Sequence, residues 1–377
     1  MVRPTVARID LDAVRRNFLT LSAHLSRERP GNPPGITAVV KANAYGHGGA
    51  PVALALEQAG ADLLACADIE EGAALRAGGV QGRILVFGAL SVSDLDGLFD
   101  AALTPTISTP GAARAVQAAA ARYGQTLRYH LKIDTGMNRL GFRFDNLRRT
   151  LPALFASPNL QLEAVYTHFA TADDPESPLF GEQRIRFERA VGEIAALAGQ
   201  AGQAVYLHAA NSAALLRDAR TWYDRVRPGL LLYGIVPPPL ASTLDLRPAL
   251  SLVSRIVAVK GLRIGETAGY GGRFVADRPT TIAIVPAGYA DGLDWRLAGR
   301  GAVLIRGRRV PIVGSVCMDM LSVDVSGLDV SPGDEVVLIG AQGSARIEAR
   351  EMAAEIGTIP YEILCRIGSR IERSYVE

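Results

Sequence analysis

Hydrophobic and polar positions follow two different patterns along the chain. From residue 35 to about residue 230, short β-branched runs alternate with Ala- and Leu-rich amphipathic stretches, which predicts repeated βα units and a parallel sheet. Eight such runs favour a closed (β/α)₈ TIM-type barrel over an open doubly wound sheet, which usually has fewer strands. The predicted strands are residues 36–41, 62–66, 83–87, 104–108, 127–134, 162–168, 204–208 and 224–229. A helix is predicted to begin near Leu11, before the barrel.

The pattern changes after the proline run at 237–239. Such a run continues neither a helix nor a central strand, so it predicts a connector. Beyond it, short alternating segments punctuated by Gly and Pro predict a C-terminal mainly-β domain, interrupted by one helix near 348–357. We therefore expect a barrel domain over residues 1–239 and a β domain over residues 240–377. Residues 1–10 are a candidate strand of the β domain.

Composition and charge narrow the choice of partner. The chain has 377 residues, 49% of them hydrophobic, which suffices for a large core and a second domain. Its formal net charge is +2, with 40 basic and 38 acidic residues interspersed. This balance predicts no surface for nucleic acid or anionic lipid, and a small-molecule partner is expected. The three cysteines are not at metal-binding spacings, so neither a metal site nor a disulfide framework is predicted.

The start of the chain bears on location. Residues 1–12 carry charges where a signal peptide needs its apolar stretch, and no run reaches the roughly 18 uncharged apolar residues of a membrane span. We expect a cytoplasmic protein that does not insert in a membrane.

Polar side chains follow several predicted strands at the points where the strands end. In a parallel barrel the site is built at the C-terminal ends of the strands, so such residues are functional candidates. They are Lys41, Asp134 with Thr135 and Gly136, His168, Asn211 with Ser212, and Arg227 with Gly229. One such residue alone is more often a strand end that meets solvent, but five positions on one rim favour a site.

Lys41 follows four apolar strand residues. Loss of hydration there favours the neutral amine that Schiff-base chemistry needs, although a lysine that extends its amine into water fits this residue alone equally well. Ser212 and Gly229 lie where barrels commonly form a phosphate cradle; the simpler interpretations are a helix cap and a turn glycine. A lysine and a phosphate cradle on one rim indicate pyridoxal 5'-phosphate (PLP), with other phosphorylated ligands left open.

Residues 41–48, KANAYGHG, resemble the PLP-lysine motif of the alanine racemases, a fold-type III PLP-dependent family with a (β/α)₈ barrel and a C-terminal β domain. The resemblance recurs in order along nearly the whole chain, at residues 132–142, 167–173, 208–214, 227–234, 268–272, 288–292, 314–320 and 359–370. Ordered agreement of this kind is far more specific than one short motif. It implies a homodimeric racemase that interconverts L- and D-alanine and supplies D-alanine for peptidoglycan, each β domain completing the partner's barrel site.

Racemisation requires one acid/base group on each side of the substrate Cα. The resemblance implies that these are Lys41, which also bears the cofactor, and Tyr270. It places Arg227 at the pyridine nitrogen, where a guanidinium donates a hydrogen bond without giving up its proton. The ring then stays a weak electron sink, which suits racemisation rather than transamination. An ion pair of Arg227 with Asp224 is the simpler alternative.

The resemblance also implies roles for the remaining candidates. His168 packs against the pyridine face, and His208 is a partner of Arg227. The other implied positions are Tyr45, Asn211, Ser212, Gly229, Leu230 and Tyr361 near the cofactor phosphate, Arg139 and Met318 at the substrate carboxylate, and Tyr289 and Asp319 at the entrance. Lys132 matches a lysine that some members carry as a carbamate, which would give Arg139 an anionic neighbour.

Three alternatives remain open at the level of sequence. A racemase of broader specificity differs only by small changes in the pocket. A non-catalytic PLP carrier would not need the β domain with Tyr270. A PLP decarboxylase shares the barrel class but would be expected to carry a nucleophile and carboxylate constellation that is not found here. The segment 271–280, GGRFVADRPT, departs from the family pattern.

Overall fold

Strands and helices alternate in the first two thirds of the protein, and strands dominate the rest. The structure, a computed structural model, describes residues 4–90, 94–198 and 205–377. Within these residues the strands are β1 (Val6–Asp10), β2 (Gly35–Val39), β3 (Leu63–Cys66), β4 (Arg83–Val86), β5 (Thr104–Ile107), β6 (Leu127–Asp134), β7 (Phe142–Arg143), β8 (Leu160–Tyr166), β9 (Tyr206–Asn211), β10 (Arg225–Arg227), β11 (Leu250–Arg255), β12 (Ala258–Leu262), β13 (Thr267–Ala268), β14 (Phe274–Val275), β15 (Thr280–Val285), β16 (Ala302–Ile305), β17 (Arg308–Val313), β18 (Leu321–Asp324), β19 (Glu335–Gln342), β20 (Ala345–Ile347) and β21 (Glu372–Val376).

The helical segments are α1 (Leu11–Glu28), α2 (Lys41–Tyr45), α3 (Gly49–Gln58), α4 (Ile69–Ala77), α5 (Asp96–Asp100), α6 (Pro110–Tyr123), α7 (Leu147–Thr150), α8 (Pro152–Phe155), α9 (Leu179–Ala198), α10 (Ser212–Arg217), α11 (Ala349–Ile356) and α12 (Pro360–Cys365). Capping residues start several of the barrel helices. Asp68 caps α4 by accepting from Glu71 N, and Thr109 caps α6 by accepting from Ala112 N. Each cap satisfies a backbone donor that the first helical turn leaves unpaired.

Eight parallel strands close into a barrel within the unit formed by residues 14–44 and 49–246. Their order is β5, β4, β3, β2, β10, β9, β8 and β6, and β5 pairs with β6 to complete the ring, while the short β7 adds to β6. The four residues of β3 are all buried, as expected for parallel strands that are covered on both faces. The predicted barrel is confirmed. The predicted seventh strand begins at residue 204, outside the described residues, and the structure shows it from Tyr206.

Among the described residues, the second unit consists of residues 4–13, 45–48 and 247–377. Its main sheet has the order β12, β15, β18, β17, β16, β19, β11, β1 and β21, with β20 paired to β19. All these pairs are antiparallel except β1 with β21. Because β1 lies between β11 and β21, both of its edges are hydrogen-bonded within this sheet. The chain from Gly234 to Ala249 forms turns and coil, in agreement with the predicted connector.

The β unit shows one expected feature and two that were not expected. Residues 1–10 were a candidate strand of the β domain, and β1 pairs within its sheet, whereas residues 45–48 group with the sheet and residues 240–246 with the barrel. The sequence predicted one α-helix here, and the described residues of this unit form two, α11 and α12. The second was missed because its six residues contain too few turns for a helical period to show, although Pro360 at its first position is a helix-start signal.

Candidate active site

The predicted rim residues of the barrel lie at the carboxyl ends of its strands. Lys41 follows β2, Asp134 ends β6, His168 follows β8 by two residues, and Asn211 and Arg227 end β9 and β10. Because the strands are parallel and form one closed ring, their carboxyl ends share one end of the barrel. The fold therefore brings these five positions, which are far apart in sequence, to one rim.

The backbone after Lys41 turns with the left-handed sense. Ala42, Asn43, Ala44 and Tyr45 have φ values of 52° to 53°, a region that residues other than glycine seldom adopt. The turn is closed by a hydrogen bond from Ala44 N to Val40 O of 2.8 Å. Left-handed helical backbone costs roughly 1–2 kcal/mol per residue with a side chain. Backbone strain of this kind clusters at functional sites, where the surrounding structure holds it in place.

Arg227 is buried and donates its hydrogen bonds to uncharged acceptors. Its Nη2 lies 2.8 Å from Thr167 O and 2.9 Å from Ala209 O, and its Nη1 lies 2.9 Å from His208 Nδ1. Asp224, the alternative partner, instead accepts from Leu207 N at 2.7 Å. Burial lowers the pKa of Arg227 to about 10, which still leaves the guanidinium charged at neutral pH.

A chain of side chains continues from Arg227 through the barrel interior. His208 Nε2 lies 3.1 Å from His130 Nδ1, and His130 Nε2 lies 2.8 Å from the Tyr206 hydroxyl and 3.4 Å from Glu163 Oε2. A guanidinium only donates, so His208 Nδ1 must accept and its Nε2 must carry the proton. The same reasoning then places the His130 proton on Nε2, directed at Glu163 and Tyr206.

The sequence analysis did not select His130 or Tyr166. His130 lies two residues before Lys132 on β6, and Tyr166 lies two residues before His168. The Tyr166 ring stacks on His208, with ring centroids 4.6 Å apart and planes 10° apart. Side chains two residues apart in a strand share one face. Applying this alternation to each predicted site residue would have found both.

Lys132 lies among other cations. It is only 6% exposed, and its Nζ is 5.7 Å from the Tyr166 ring centroid. Burial, followed by the positive charges of Arg139, Arg227 and Lys41, lowers the pKa of Lys132 to about 8. Arg139 itself is exposed. The lowered pKa gives Lys132 an appreciable neutral fraction near physiological pH, and a neutral amine is the form that can become a carbamate.

The uncharged state of His168 follows from the same surroundings. Burial and then the neighbouring cations, Arg227 first, hold its pKa well below the usual value. Its carbonyl accepts from Gln183 Nε2 at 3.0 Å, and Gln183 also donates to Thr135 Oγ1 at 3.1 Å. Gln183, another residue that the sequence analysis missed, therefore ties the end of β8 to the residue after β6.

Residues predicted for the phosphate region gather after β9 and β10. Asn211 caps α10 by accepting from Ala214 N at 2.9 Å, so Asn211 rather than Ser212 is the cap. The Ser212 hydroxyl accepts from Gly229 N at 2.9 Å. Leu230 is fully buried at the start of the following 3₁₀ turn. These contacts hold the two loops together.

The other two residues predicted near the phosphate belong to the β unit. The rings of Tyr45 and Tyr361 have centroids 5.9 Å apart, and burial raises the pKa of Tyr45. At the neighbouring Gly46, an added Cβ would lie 2.2 Å from Leu364 O, so only glycine fits against α12. The packing of Tyr45 against Tyr361 therefore depends on a glycine in the lysine motif.

Four further predicted residues lie on the surface of the β unit. Tyr270, Tyr289 and Met318 are 78%, 48% and 52% exposed, and Asp319 is also exposed. Their loops are joined by hydrogen bonds: Ser315 Oγ donates to Tyr270 O at 2.6 Å, Tyr289 N to Cys317 O and Ala290 N to Met318 O, both at 3.0 Å. The Asp319 carboxylate accepts from Arg370 at 2.5 Å. The fold thus groups residues from three separate motifs on one surface.

The barrel rim fits PLP by the chemistry of its donors. Lys41, Lys132, Arg139 and Arg227 place several positive charges at the rim, and after burial these charges are the next cause of the lowered pKa values of Lys132 and His168. Such a site suits an anionic phosphate and a carboxylate substrate. Lys41 offers an amine for an aldehyde, and Arg227 offers a donor that keeps its proton. These are the groups that would hold the cofactor.

Family models described as "Alanine racemase, N-terminal domain" and "Alanine racemase, C-terminal domain" match residues 9–237 and 249–375. The chain is 42% identical to the alanine racemase of Symbiobacterium thermophilum, over 99% of this chain and 97% of that protein. It is also 42% identical to the alanine racemase of Carboxydothermus hydrogenoformans, over 100% of both.

Solved structures agree with the sequence comparison. The crystal structure of alanine racemase from D-cycloserine-producing Streptomyces lavendulae superposes with a TM-score of 0.93 at 36% identity, covering 100% of this chain and 98% of that one. The chain belongs to the alanine racemase family and is an amino-acid racemase. That family is PLP-dependent. In the described part of the chain, no helix is both long enough and apolar enough to span a membrane.

Proposed function

We propose that this protein interconverts L- and D-alanine with PLP bound on Lys41, through a two-base mechanism that also uses Tyr270. The observation that carries the proposal is the buried, protonated Arg227, whose bonds to backbone carbonyls and to a neutral histidine keep it a pure donor on the same rim as Lys41. Bound PLP would withdraw electrons from the substrate Cα and so acidify its proton. The residues of the chain would hold the cofactor, hold the substrate and move the proton.

The residues of the rim divide these tasks. Arg227 would donate to the pyridine nitrogen while keeping its own proton, because its pKa of about 10 lies far above that of a pyridinium. His168 is uncharged and would offer a flat ring for packing. Asn211, Ser212, Gly229, Leu230, Tyr45 and Tyr361 would hold the phosphate. Arg139 and the Met318 backbone N–H would hold the substrate carboxylate, with Tyr289 and Asp319 at the entrance.

The two bases would come from two chains. Lys41 lies on the barrel rim, and Tyr270 is exposed on the β unit together with other large apolar side chains, including Met318, Met320 and Trp295 at 49% to 52% exposure. Exposed large apolar side chains of this kind contribute favourably when a protein interface buries them. We propose a homodimer in which Tyr270 of each chain faces Lys41 of its partner across the substrate Cα, so that each base serves one enantiomer.

Lysine content makes the cofactor assignment unusually testable. The chain has only three lysines, Lys41, Lys132 and Lys260, and Lys260 is exposed in β12 of the β unit. Borohydride reduction followed by peptide mapping should place the phosphopyridoxyl group on Lys41 alone. Lys41→Ala should lose the label and all racemase activity, whereas Lys260→Arg should keep both. A label on Lys132 or Lys260 would refute the assignment.

The substrate is tested by chiral chromatography. The enzyme should convert either enantiomer of alanine to an equal mixture, and kcat/KM for serine should be lower. Equal rates with both amino acids would favour the broad-specificity alternative. We also propose that the D-alanine supplies peptidoglycan. The gene should then restore growth of a D-alanine auxotroph without added D-alanine, and the Lys41→Ala form should not. A cytoplasmic location stays a prediction.

A further inference from the structure

The Glu71 carboxylate, which has no part in the proposed function, lies against the backbone that follows Lys41. Its Oε1 accepts from Ala42 N at 2.6 Å and is 3.4 Å from Asn43 N. Its Oε2 accepts from Ala67 N at 2.8 Å, just after β3 ends. One carboxylate therefore links the left-handed turn after β2 to the end of the neighbouring strand.

We propose that Glu71 is a positioning residue for Lys41, and this rests on the proposed function of Lys41. Successive N–H groups of a left-handed turn point to one side and form a concave site for an anion, which Glu71 occupies from within the protein. Hydrogen bonds that N–H groups donate to a carboxylate are stronger than hydrogen bonds between neutral groups. Glu71 thereby stabilises the strained conformation of Ala42 and Asn43, and this conformation sets the direction in which the Lys41 side chain leaves the backbone.

A second side chain secures the far side of the same turn. Asn43 Oδ1 accepts from Gly49 N at 2.6 Å, which closes the loop between the turn and α3. The turn is thus held at its first two N–H groups by Glu71 and at Asn43 by its own side chain. Glu71 acts nearest to Lys41, because Ala42 is the next residue in the chain.

A role in helix capping is the competing explanation for Glu71. Asp68 and Glu71 have the spacing of a capping box, in which the acidic side chain at the third helical position reaches back to the N–H of the cap residue. In this structure Asp68 accepts from Glu71 N at 2.8 Å, but the Glu71 oxygens bond to Ala67, one residue before the cap, and to the turn. The side chain therefore connects two strand ends rather than only closing its own helix.

Three variants separate the effect of the position of the Glu71 carboxylate from the effects of its charge and of helix capping. Glu71→Gln keeps the length but has only one acceptor oxygen, and Glu71→Asp keeps the charge but is one methylene shorter. Glu70→Gln is the matched control, because Glu70 is the adjacent exposed residue of α4 and its change removes the same charge. All three are made in the full-length chain.

The first measurement is hydrogen exchange in the cofactor-free protein, followed in peptides that cover residues 40–48 and 69–77. Loss of a charge-assisted bond should make the amides of Ala42 and Asn43 exchange at least about tenfold faster in Glu71→Gln and Glu71→Asp. The α4 peptide should change little, and Glu70→Gln should match the wild type. Unchanged exchange at residues 40–48, or an equal rise in both peptides, would overturn the proposal.

The second measurement uses the two directions of racemisation. When the Lys41 amine is shifted from its position by a change at Glu71, proton transfer by Lys41 becomes slower. The kinetic isotope effect with Cα-deuterated alanine should then rise for the enantiomer from which Lys41 removes the proton, and fall or stay constant for the other. Fewer correctly folded molecules would lower kcat without changing either isotope effect. Faster exchange at the turn with unchanged isotope effects in both directions would refute the positioning role. An inactive wild type would instead refute the proposed function, while the exchange result would still stand.

Discussion

At the scale of single residues, the site is dominated by positive charge in a buried environment. Lys132 shows the consequence most clearly, because its pKa of about 8 in the folded protein lies below the value of about 10.4 expected in an unfolded chain. Between these two pH values the folded state binds fewer protons than the unfolded state. Stability due to this group therefore rises with pH across that window.

Replacing Lys132 tests directly whether its contribution to stability rises with pH. Below pH 8 the folded protein must carry the buried cation, at a cost of about 3 kcal/mol. We expect Lys132→Met to raise the melting temperature relative to the wild type at pH 6.5, and to raise it less at pH 9.5. Scanning calorimetry in carbonate-free buffer measures the difference, and the exposed Lys260→Met is the control. Equal differences in melting temperature between variant and wild type at both pH values would contradict a lowered pKa of Lys132.

The same experiment with bicarbonate addresses modification of Lys132. A carbamate would replace the cation by an anion beside Arg139 and Arg227, so added bicarbonate should stabilise the wild type but not Lys132→Met. Carbon-13 NMR of protein equilibrated with labelled bicarbonate should show a carbamate signal that is absent from Lys132→Met. Persistence of the signal in that variant would assign it to another amine.

Arg227 controls the fate of the Cα electrons in the proposed mechanism. Arg227→Glu would let the pyridine nitrogen hold a proton, which makes the ring a stronger electron sink. The transamination side reaction should then rise relative to racemisation, and long-wavelength absorbance should appear with substrate present. Arg227→Lys keeps a cationic donor and is the matched control. If neither the ratio of transamination to racemisation nor the long-wavelength absorbance differs from the wild type, Arg227 does not contact the ring.

At the scale of secondary-structure elements, four strands combine to fix the state of Arg227. His208 is on β9, His130 on β6, Glu163 on β8 and Arg227 on β10, and parallel pairing places them in adjacent rows. Burial lowers the pKa of both histidines, that of His208 strongly, so both should be neutral at pH 7. The chain of hydrogen bonds then allows one tautomer for each.

Nitrogen-15 NMR of histidine-labelled protein tests that arrangement. His130 and His208 should both carry the proton on Nε2, without titration between pH 6 and 8, with assignments from His130→Gln and His208→Gln. Replacing Glu163 by Gln should shift the His130 signals, because a carboxylate that only accepts is replaced by an amide. A proton on Nδ1 of either ring at pH 7 would mean that Arg227 does not donate a hydrogen bond to His208 Nδ1.

At the scale of the whole molecule, the two proposed bases belong to different units of the chain. Mixing Lys41→Ala chains with Tyr270→Ala chains should produce heterodimers in which one site carries both changes and the other carries neither. Subunit exchange should therefore restore roughly half the wild-type activity per heterodimer. Each variant alone, exchanged with itself, is the control. Heterodimers that form, as shown by mass spectrometry, yet stay inactive would rule out the shared site.

The sequence determined the architecture, because each signal it used is local. Short β-branched runs, the proline connector and alternating segments punctuated by Gly and Pro are recognised within a few residues, and they sufficed for the eight barrel strands and the β domain. Strand ends also identified the rim, since parallel closure brings every carboxyl end to one side of the barrel. The roles of individual rim residues came from the family resemblance rather than from these patterns.

Only the tertiary structure decided which partner each polar group finds. The sequence allowed Arg227 to pair with Asp224, but strand register places His208 and two carbonyls against it instead. Glu71 has the spacing of a helix cap, yet the neighbouring strand brings the turn after Lys41 within reach of its carboxylate. Hydrogen bonds and charge interactions depend on distances between residues that are remote in sequence, and those distances exist only once the barrel has closed.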